Sequence, residues 1–123
     1  MTKERISLGK YGEFLAEERL KDLGYKILEN NYTCKLGEID LIAKDNDVLV
    51  FVEVKTRRNT PLGQAKDAVN ERKQRQVSKV ALYYMQSRHL TEVKARFDVA
   101  AVTLVDGKND IEVIKNAFEL AYT

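Results

Sequence analysis

Two neighbouring segments constrain this chain more than any other feature. Gly37-Glu38-Ile39-Asp40-Leu41-Ile42-Ala43 and Val48-Leu49-Val50-Phe51-Val52-Glu53-Val54-Lys55 flank the polar stretch Lys44-Asp45-Asn46-Asp47. Gly37 to Ala43 and Val48 to Val54 read as two strands of a hairpin. Side chains alternate faces along a strand. Ile39, Leu41 and Ala43 then share one face of the first strand, and Val48, Val50, Val52 and Val54 share one face of the second. Burying both aliphatic sets on one side fixes the parity of pairing, because a one-residue slip would turn every side chain over. A symmetric loop over residues 44–47 gives that parity, with Ala43 opposite Val48 and Ile39 opposite Val52. Glu38, Asp40, Glu53 and Lys55 are thereby placed together on the other face. Glu38 falls opposite Glu53 and Asp40 diagonal to it, at roughly 7–8 Å between backbones.

Three carboxylates on one small patch repel unless something positive sits among them. Lys55 is one candidate. A hard divalent cation is the other, because Mg²⁺ takes one or two carboxylates together with water and substrate phosphate. A carboxylate pair with a lysine two residues on suits phosphodiester hydrolysis, in which a metal polarises phosphate and generates hydroxide while the lysine positions water or neutralises charge. The competing reading is a solvated polar face with Glu53–Lys55 a weak surface pair. Ile42, Leu49 and Phe51 fall on the same face as the charges, and the strand runs into Lys55-Thr56-Arg57-Arg58; both features count against simple solvation.

The remaining pattern supplies a frame for the hairpin. Leu8, Gly12, Leu15, Ala16, Leu20 and Leu23 predict a helix from about Leu8 to Leu23, with Ser7 as cap and Gly24 as stop. Tyr25 to Leu28 reads as a strand. Ala65, Ala68, Val69, Val77, Val80, Ala81 and Tyr84 form the buried stripe of a helix from about Lys66 to Ser87. Phe97 to Leu104 and Ile111 to Ile114 read as closing strands, turning through Asp106-Gly107-Lys108-Asn109. Pro61, the only proline, marks a loop after Arg57 and Arg58. The order α-β-β-β-α-β-β makes the chain α/β with a mixed sheet. Its 123 residues form one domain.

Charge is unevenly spread. Residues 1–54 carry −3, residues 55–96 carry +8 and residues 97–123 carry −3. A basic middle between acidic ends suits a polyanion such as nucleic acid, and equally a solvated Lys/Arg-rich helix face. Cys34 is the only cysteine, which excludes an internal disulfide and a cysteine-rich zinc site. Residues Met1 to Ile6 have no apolar run behind them, so neither a signal peptide nor a membrane span is expected, and cytoplasm is the expected location.

Asp40, then Glu53-Val54-Lys55, preceded by a helix bearing Glu13, resembles the PD-(D/E)xK nuclease superfamily, nearest to its Holliday-junction-resolvase branch. More narrowly, the chain resembles the bacterial YraN family of predicted endonucleases. The likeness rests on Gly9 to Glu13, Gly24 to Leu28, Gly37 to Ala43, Val50 to Arg57 and Arg96 to Val99, and so spans nearly the whole length. Ile39 stands where the superfamily's name has a proline. The resemblance implies a restriction-endonuclease-like core, a mixed β-sheet flanked by helices. It implies Asp40, Glu53 and Glu13, the last reaching in from the first helix, as catalytic acids and ligands of Mg²⁺ or Mn²⁺, with the Val54 carbonyl completing the shell and Lys55 as catalytic lysine.

The expected activity is metal-dependent endonucleolytic cleavage of DNA, including branched or structured DNA. The rival is a non-catalytic nucleic-acid-binding or protein-docking module that keeps the fold. Nothing in the chain reads a 2′-hydroxyl, so RNA stays open as the substrate. A homodimer would suit a branched substrate by bringing two sites to two strands. Arg57, Arg58, Arg72, Lys73 and Gln76 are the expected nucleic-acid contacts, each weighed against a solvated face. Glu38 is read evenly as a supporting acid or a turn residue, Arg96 with Asp98 as a structural ion pair, and His89 and Cys34 as incidental. Tyr83 and Tyr84 are expected in the core.

Overall fold

A computed structural model describes residues 3–58, 69–105 and 107–119. Helix α1 spans Lys3–Asp22, and strands β1, β2 and β3 span Lys26–Cys34, Gly37–Asp45 and Val48–Arg58. Helix α2 spans Glu71–Ser87, and strands β4 and β5 span Ala95–Val105 and Lys108–Phe118. The expected order α-β-β-β-α-β-β is the one observed. The sheet order is β1-β2-β3-β4-β5, antiparallel except for the β3–β4 pair, so it is mixed. The α2 crossover makes β3 and β4 parallel, as a strand–helix–strand unit requires.

The helices cover opposite faces of the sheet. On the α1 side, Ala16 and Leu20 pack with Leu41, Ala43, Val50, Val52, Ala100 and Val102. On the α2 side, Val77, Val80, Ala81 and Tyr84 pack with Ile42, Leu49, Phe51, Phe97 and Val99. Central strands buried on both faces read as near-continuous aliphatic runs, which is why β3 and β4 look alike in sequence.

Several boundaries and contacts differ from the sequence-based expectation. Helix α1 starts at Lys3, so Ser7 lies inside it and does not cap it. Leu23 is 45% exposed and leaves the apolar stripe. Helix α2 starts at Glu71: Asn70 is its N-cap, its side chain accepting from Lys73 N–H at 2.9 Å. Val69 is buried ahead of the helix. Ala65, Ala68, Pro61, the helical start at Lys66 and Asp106 lie outside the described residues. Arg57 and Arg58 extend β3.

The hairpin register also differs. Asp45 pairs with Val48, Ala43 with Val50 and Leu41 with Val52. Ala43 is therefore not opposite Val48, nor Ile39 opposite Val52. The cause is a tight two-residue turn at Asn46-Asp47, with Asn46 in the left-handed region at φ 54°. Asparagine tolerates that conformation better than most residues. The two-residue shift preserves parity. Parity fails further along β2, where Ile39 packs on the α2 side with Tyr32 and departs from the face of Leu41 and Ala43. The flip coincides with Asn31 on β1, at φ 51°, and with the end of β2–β3 pairing at Leu41.

Candidate active site

β2 follows β3 only as far as Leu41, and this departure builds the site. Continuing the register one step brings Asp40 alongside Glu53, a closer juxtaposition than the expected diagonal. Beyond that point the edge of β3 lacks its partner strand, and a buried backbone donor must find an acceptor. The N–H of Val54 donates to Asp40 Oδ2 at 2.8 Å. A strand residue's N–H and C=O point to the same edge, so the Val54 carbonyl looks towards Asp40 too.

Glu53 is 3% exposed, and its Oε1 is buried with no hydrogen-bond partner. Its Oε2 lies 3.7 Å from Lys73 Nζ on α2. Burial, then the charge of Asp40, pushes the Glu53 carboxyl up to about 8, against the smaller opposing effects of Lys73 and Lys55. Asp40 is also raised, first by burial; the Val54 N–H works against this and the charge of Glu13 adds to it. Lys55, half-buried, stands two residues from Glu53 and so on the same face of β3.

Glu13 reaches this neighbourhood because α1 lies unusually close to β3. A Cβ on buried Gly12 would stand 1.9 Å from Thr56 Oγ1. Only glycine permits that approach. Glu13, half-buried one residue on, is near enough to Asp40 to disfavour its charge. Glu38 does not join the pocket. It is exposed, its Oε2 accepts from Thr33 Oγ1 at 3.4 Å, and it bears on Asp40 and Glu53 only as a weaker like charge.

The donor set suits a hard cation. Among the described residues no three Asp, Glu, His or Cys side chains converge to hold a metal by themselves. The Asp40–Glu53 pair remains, and Mg²⁺ characteristically takes one or two carboxylates and completes its shell with water and phosphate. The partnerless Glu53 Oε1 supplies the polar atom such an ion would satisfy.

Beside the acids lies a basic groove of about 660 Å³, lined by Lys35, Leu36, Asn70, Arg72, Lys73, Arg75, Gln76 and Lys79. The expected contacts Arg72, Lys73 and Gln76 meet there; Arg57 and Arg58, at the end of β3, are not among the lining residues. Lys35 was missed. It sits in the β1–β2 turn, where Gly37 at φ 144° lets the Gln76 side chain approach, a Cβ there falling 2.9 Å from Gln76 Nε2. A Gly two residues past a turn lysine was the only available signal.

On the opposite face, Arg96 and Asp98 form the expected ion pair at 3.0 Å. His89 is exposed, at φ 58°, and Cys34 is half-buried and free. Tyr84 is in the core as expected, whereas Tyr83 is 39% exposed. No helix among the described residues is long and apolar enough to cross a membrane.

Residues 12–102 match the model of a family described as uncharacterised protein family UPF0102. A UPF0102 protein of Syntrophus aciditrophicus is 50% identical over 119 residues, covering 97% of this chain and 94% of that protein. One from Geotalea daltonii is 50% identical over 117 residues, covering 94% and 92%. One from Geobacter metallireducens is 47% identical over 122 residues, covering 99% and 100%.

Proposed function

The chain belongs to uncharacterised protein family UPF0102, the YraN family, and we propose that it is a Mg²⁺- or Mn²⁺-dependent endonuclease acting on DNA, structured or branched forms included. The observation that carries the reading is the buried Glu53 with a partnerless Oε1, alongside Asp40 and two residues from Lys55. Asp40 and Glu53 would hold the ion, with the Val54 carbonyl beside them. Bound there, the ion supplies Lewis acidity towards a phosphate oxygen and acidifies a bound water. Lys55 neutralises charge developing on the phosphorus oxygens as water attacks and the P–O bond breaks. Glu13, close to Asp40, orients solvent on the α1 side. The basic groove receives the backbone of the strand being cut.

The test is cleavage of labelled branched, duplex and single-stranded DNA with each metal, beside metal-binding calorimetry. Asp40→Asn is expected to lower cleavage at least about 100-fold, since removal of a single transition-state stabiliser costs about that much. Asp40→Asn combined with Glu53→Gln is expected to abolish metal binding. Absence of cleavage of every substrate with both metals would sink the proposal. The five cations of the groove also suit a binding module without catalysis. That reading would take over if DNA affinity were unaffected by both substitutions and no metal bound.

A further inference from the structure

Lys73 belongs to two places at once. Its Nζ lies 3.7 Å from Glu53 Oε2, and its side chain also lines the basic groove. At 3.7 Å the contact is an ion pair without a hydrogen bond, since N–H···O bonds span about 2.7–3.2 Å. The Lys73 side chain is 36% exposed while that of Glu53 is 5% exposed, so one partner is held and the other is at the surface. The Lys73 main chain is anchored, its N–H donating to the Asn70 cap at 2.9 Å. Only the side chain is left to move, and its four methylenes give it reach.

We propose that Lys73 is an exchangeable cation shared between the acid pair and the groove. Its ammonium stands against the acid pair in the metal-free protein and turns to a substrate phosphate when a divalent cation takes the carboxylates. The inference rests on the metal-dependent reading above. With the carboxylates taken by a divalent ion, the Lys73 ammonium would lose its partner and meet like charge, and a phosphate in the groove would attract it. Each ligand therefore prepares the site for the other. Such coupling is reciprocal, whichever ligand binds first. Lys73 is thus a positioning residue, and it would keep the enzyme from holding metal tightly without nucleic acid.

The experiment titrates Mn²⁺ calorimetrically into the full chain and into Lys73→Met and Lys79→Met. It then measures affinity for a cleavage-resistant phosphorothioate single strand over a salt series, with and without Mn²⁺. Without oligonucleotide, Lys73→Met is expected to bind Mn²⁺ at least about fivefold more tightly than wild type, the low end of ordinary coupling factors. Lys79→Met, which removes a groove cation with no contact to Glu53, is expected to leave Mn²⁺ affinity unchanged. In wild type, Mn²⁺ is expected to steepen the salt slope of oligonucleotide binding by about 0.7 more than in Lys73→Met, the increment of one phosphate contact to a single strand. If Lys73→Met is unfolded by circular dichroism, Lys73→Gln carries the same comparison. Equal Mn²⁺ affinity in wild type and variant, or an equal slope increment, would overturn this inference alone. Failure of wild type to bind Mn²⁺ would overturn the functional reading with it.

Discussion

Asp98 and Glu53 are buried carboxylates on adjacent parallel strands, one register step apart, since Val52 pairs with Asp98 and Glu53 with Val99. They lie on opposite faces of the sheet and are treated in opposite ways. Asp98 is fully buried and fully partnered. Tyr25 Oη donates to its Oδ2 at 2.8 Å, Arg96 Nε donates to its Oδ1 at 3.0 Å, and Asn116 N–H donates to Oδ1 at 3.0 Å. Arg96 is in turn tied to Asp45 at 2.8 Å and to Tyr25 Oη at 2.8 Å. Burial and the bond to Asp98 hold the Tyr25 hydroxyl well above the usual phenol range, so it remains a donor. Glu53, nearly as buried, has one loose cation and an oxygen with no partner. Burying a polar group without a hydrogen bond is costly. The fold completes one buried acid and leaves its neighbour incomplete, a contrast that supports the proposed reading of Glu53 as an acid for a ligand.

The sharpest way to break this comparison is to truncate both acids. Asp98→Ala leaves the Tyr25 hydroxyl and the Asn116 N–H without their acceptor and takes one of its two carboxylates from Arg96; it is expected to cost about 3–5 kcal/mol of unfolding free energy, the range for removing one partner of a buried pair. Urea titration measures it, and Mn²⁺ affinity should stay within about twofold of wild type, because Asp98 lies across the sheet from the acid pair. Loss of metal affinity with stability intact would reverse the assignment.

Glu53→Gln should behave in the opposite sense, and pH exposes it. The folded carboxyl titrates at about 8, above its ordinary value of 4.5. The folded state therefore holds the proton more tightly than the unfolded state. Its contribution to stability is fully present below about pH 4.5 and is lost as pH rises through about 8. Metal-free wild type should weaken over that window by on the order of a few kcal/mol, a tenfold change in proton affinity being about 1.4 kcal/mol. In Glu53→Gln the decline should flatten, leaving the variant more stable than wild type at pH 9. Thermal melts with chelator between pH 5 and 9 read the difference, and parallel curves would show that Glu53 is as well satisfied as Asp98.

Gly12→Ala probes how the functional acid is approached from α1. A Cβ there meets Thr56, so the helix must retreat, at about 1–3 kcal/mol by the usual cost of overpacking. Cleavage should fall by more than the folded fraction does, because Glu13 retreats as well. The smallest expected effect on the site is that of Tyr25→Phe, which removes a donor to Asp98 and an acceptor for Arg96 and should cost about 1.5–3 kcal/mol of stability, the range for a hydrogen bond to a charged group. Its metal affinity should be unchanged.

The element order and the hairpin that sets Asp40 and Glu53 on neighbouring strands were legible in the chain, because period-two alternation and aliphatic burial specify parity over the paired length. Register was not. Lys44 and Asp45 look like loop residues but belong to β2, since the turn needs only Asn46 in the left-handed region. The face of Ile39 changes where the paired strand carries Asn31 in the left-handed region, and alternation along β2 alone does not reveal it. Asn70 was a readable cap, hidden by the helical spacing of Ala65, Ala68 and Val69 ahead of it. The Lys73–Glu53 contact joins residues twenty apart across a parallel crossover, and no local pattern encodes such a distance.

The carboxylate of Asp40 has a second task that any study of this site inherits. By taking the Val54 N–H it replaces a rung that a neighbouring strand would otherwise provide, and it closes the sheet where β2 turns away. Asparagine keeps an oxygen for that rung while discarding the charge, whereas alanine removes both. An alanine scan here would therefore mix a loosened hairpin with a lost ligand, and the amide substitution isolates the chemistry.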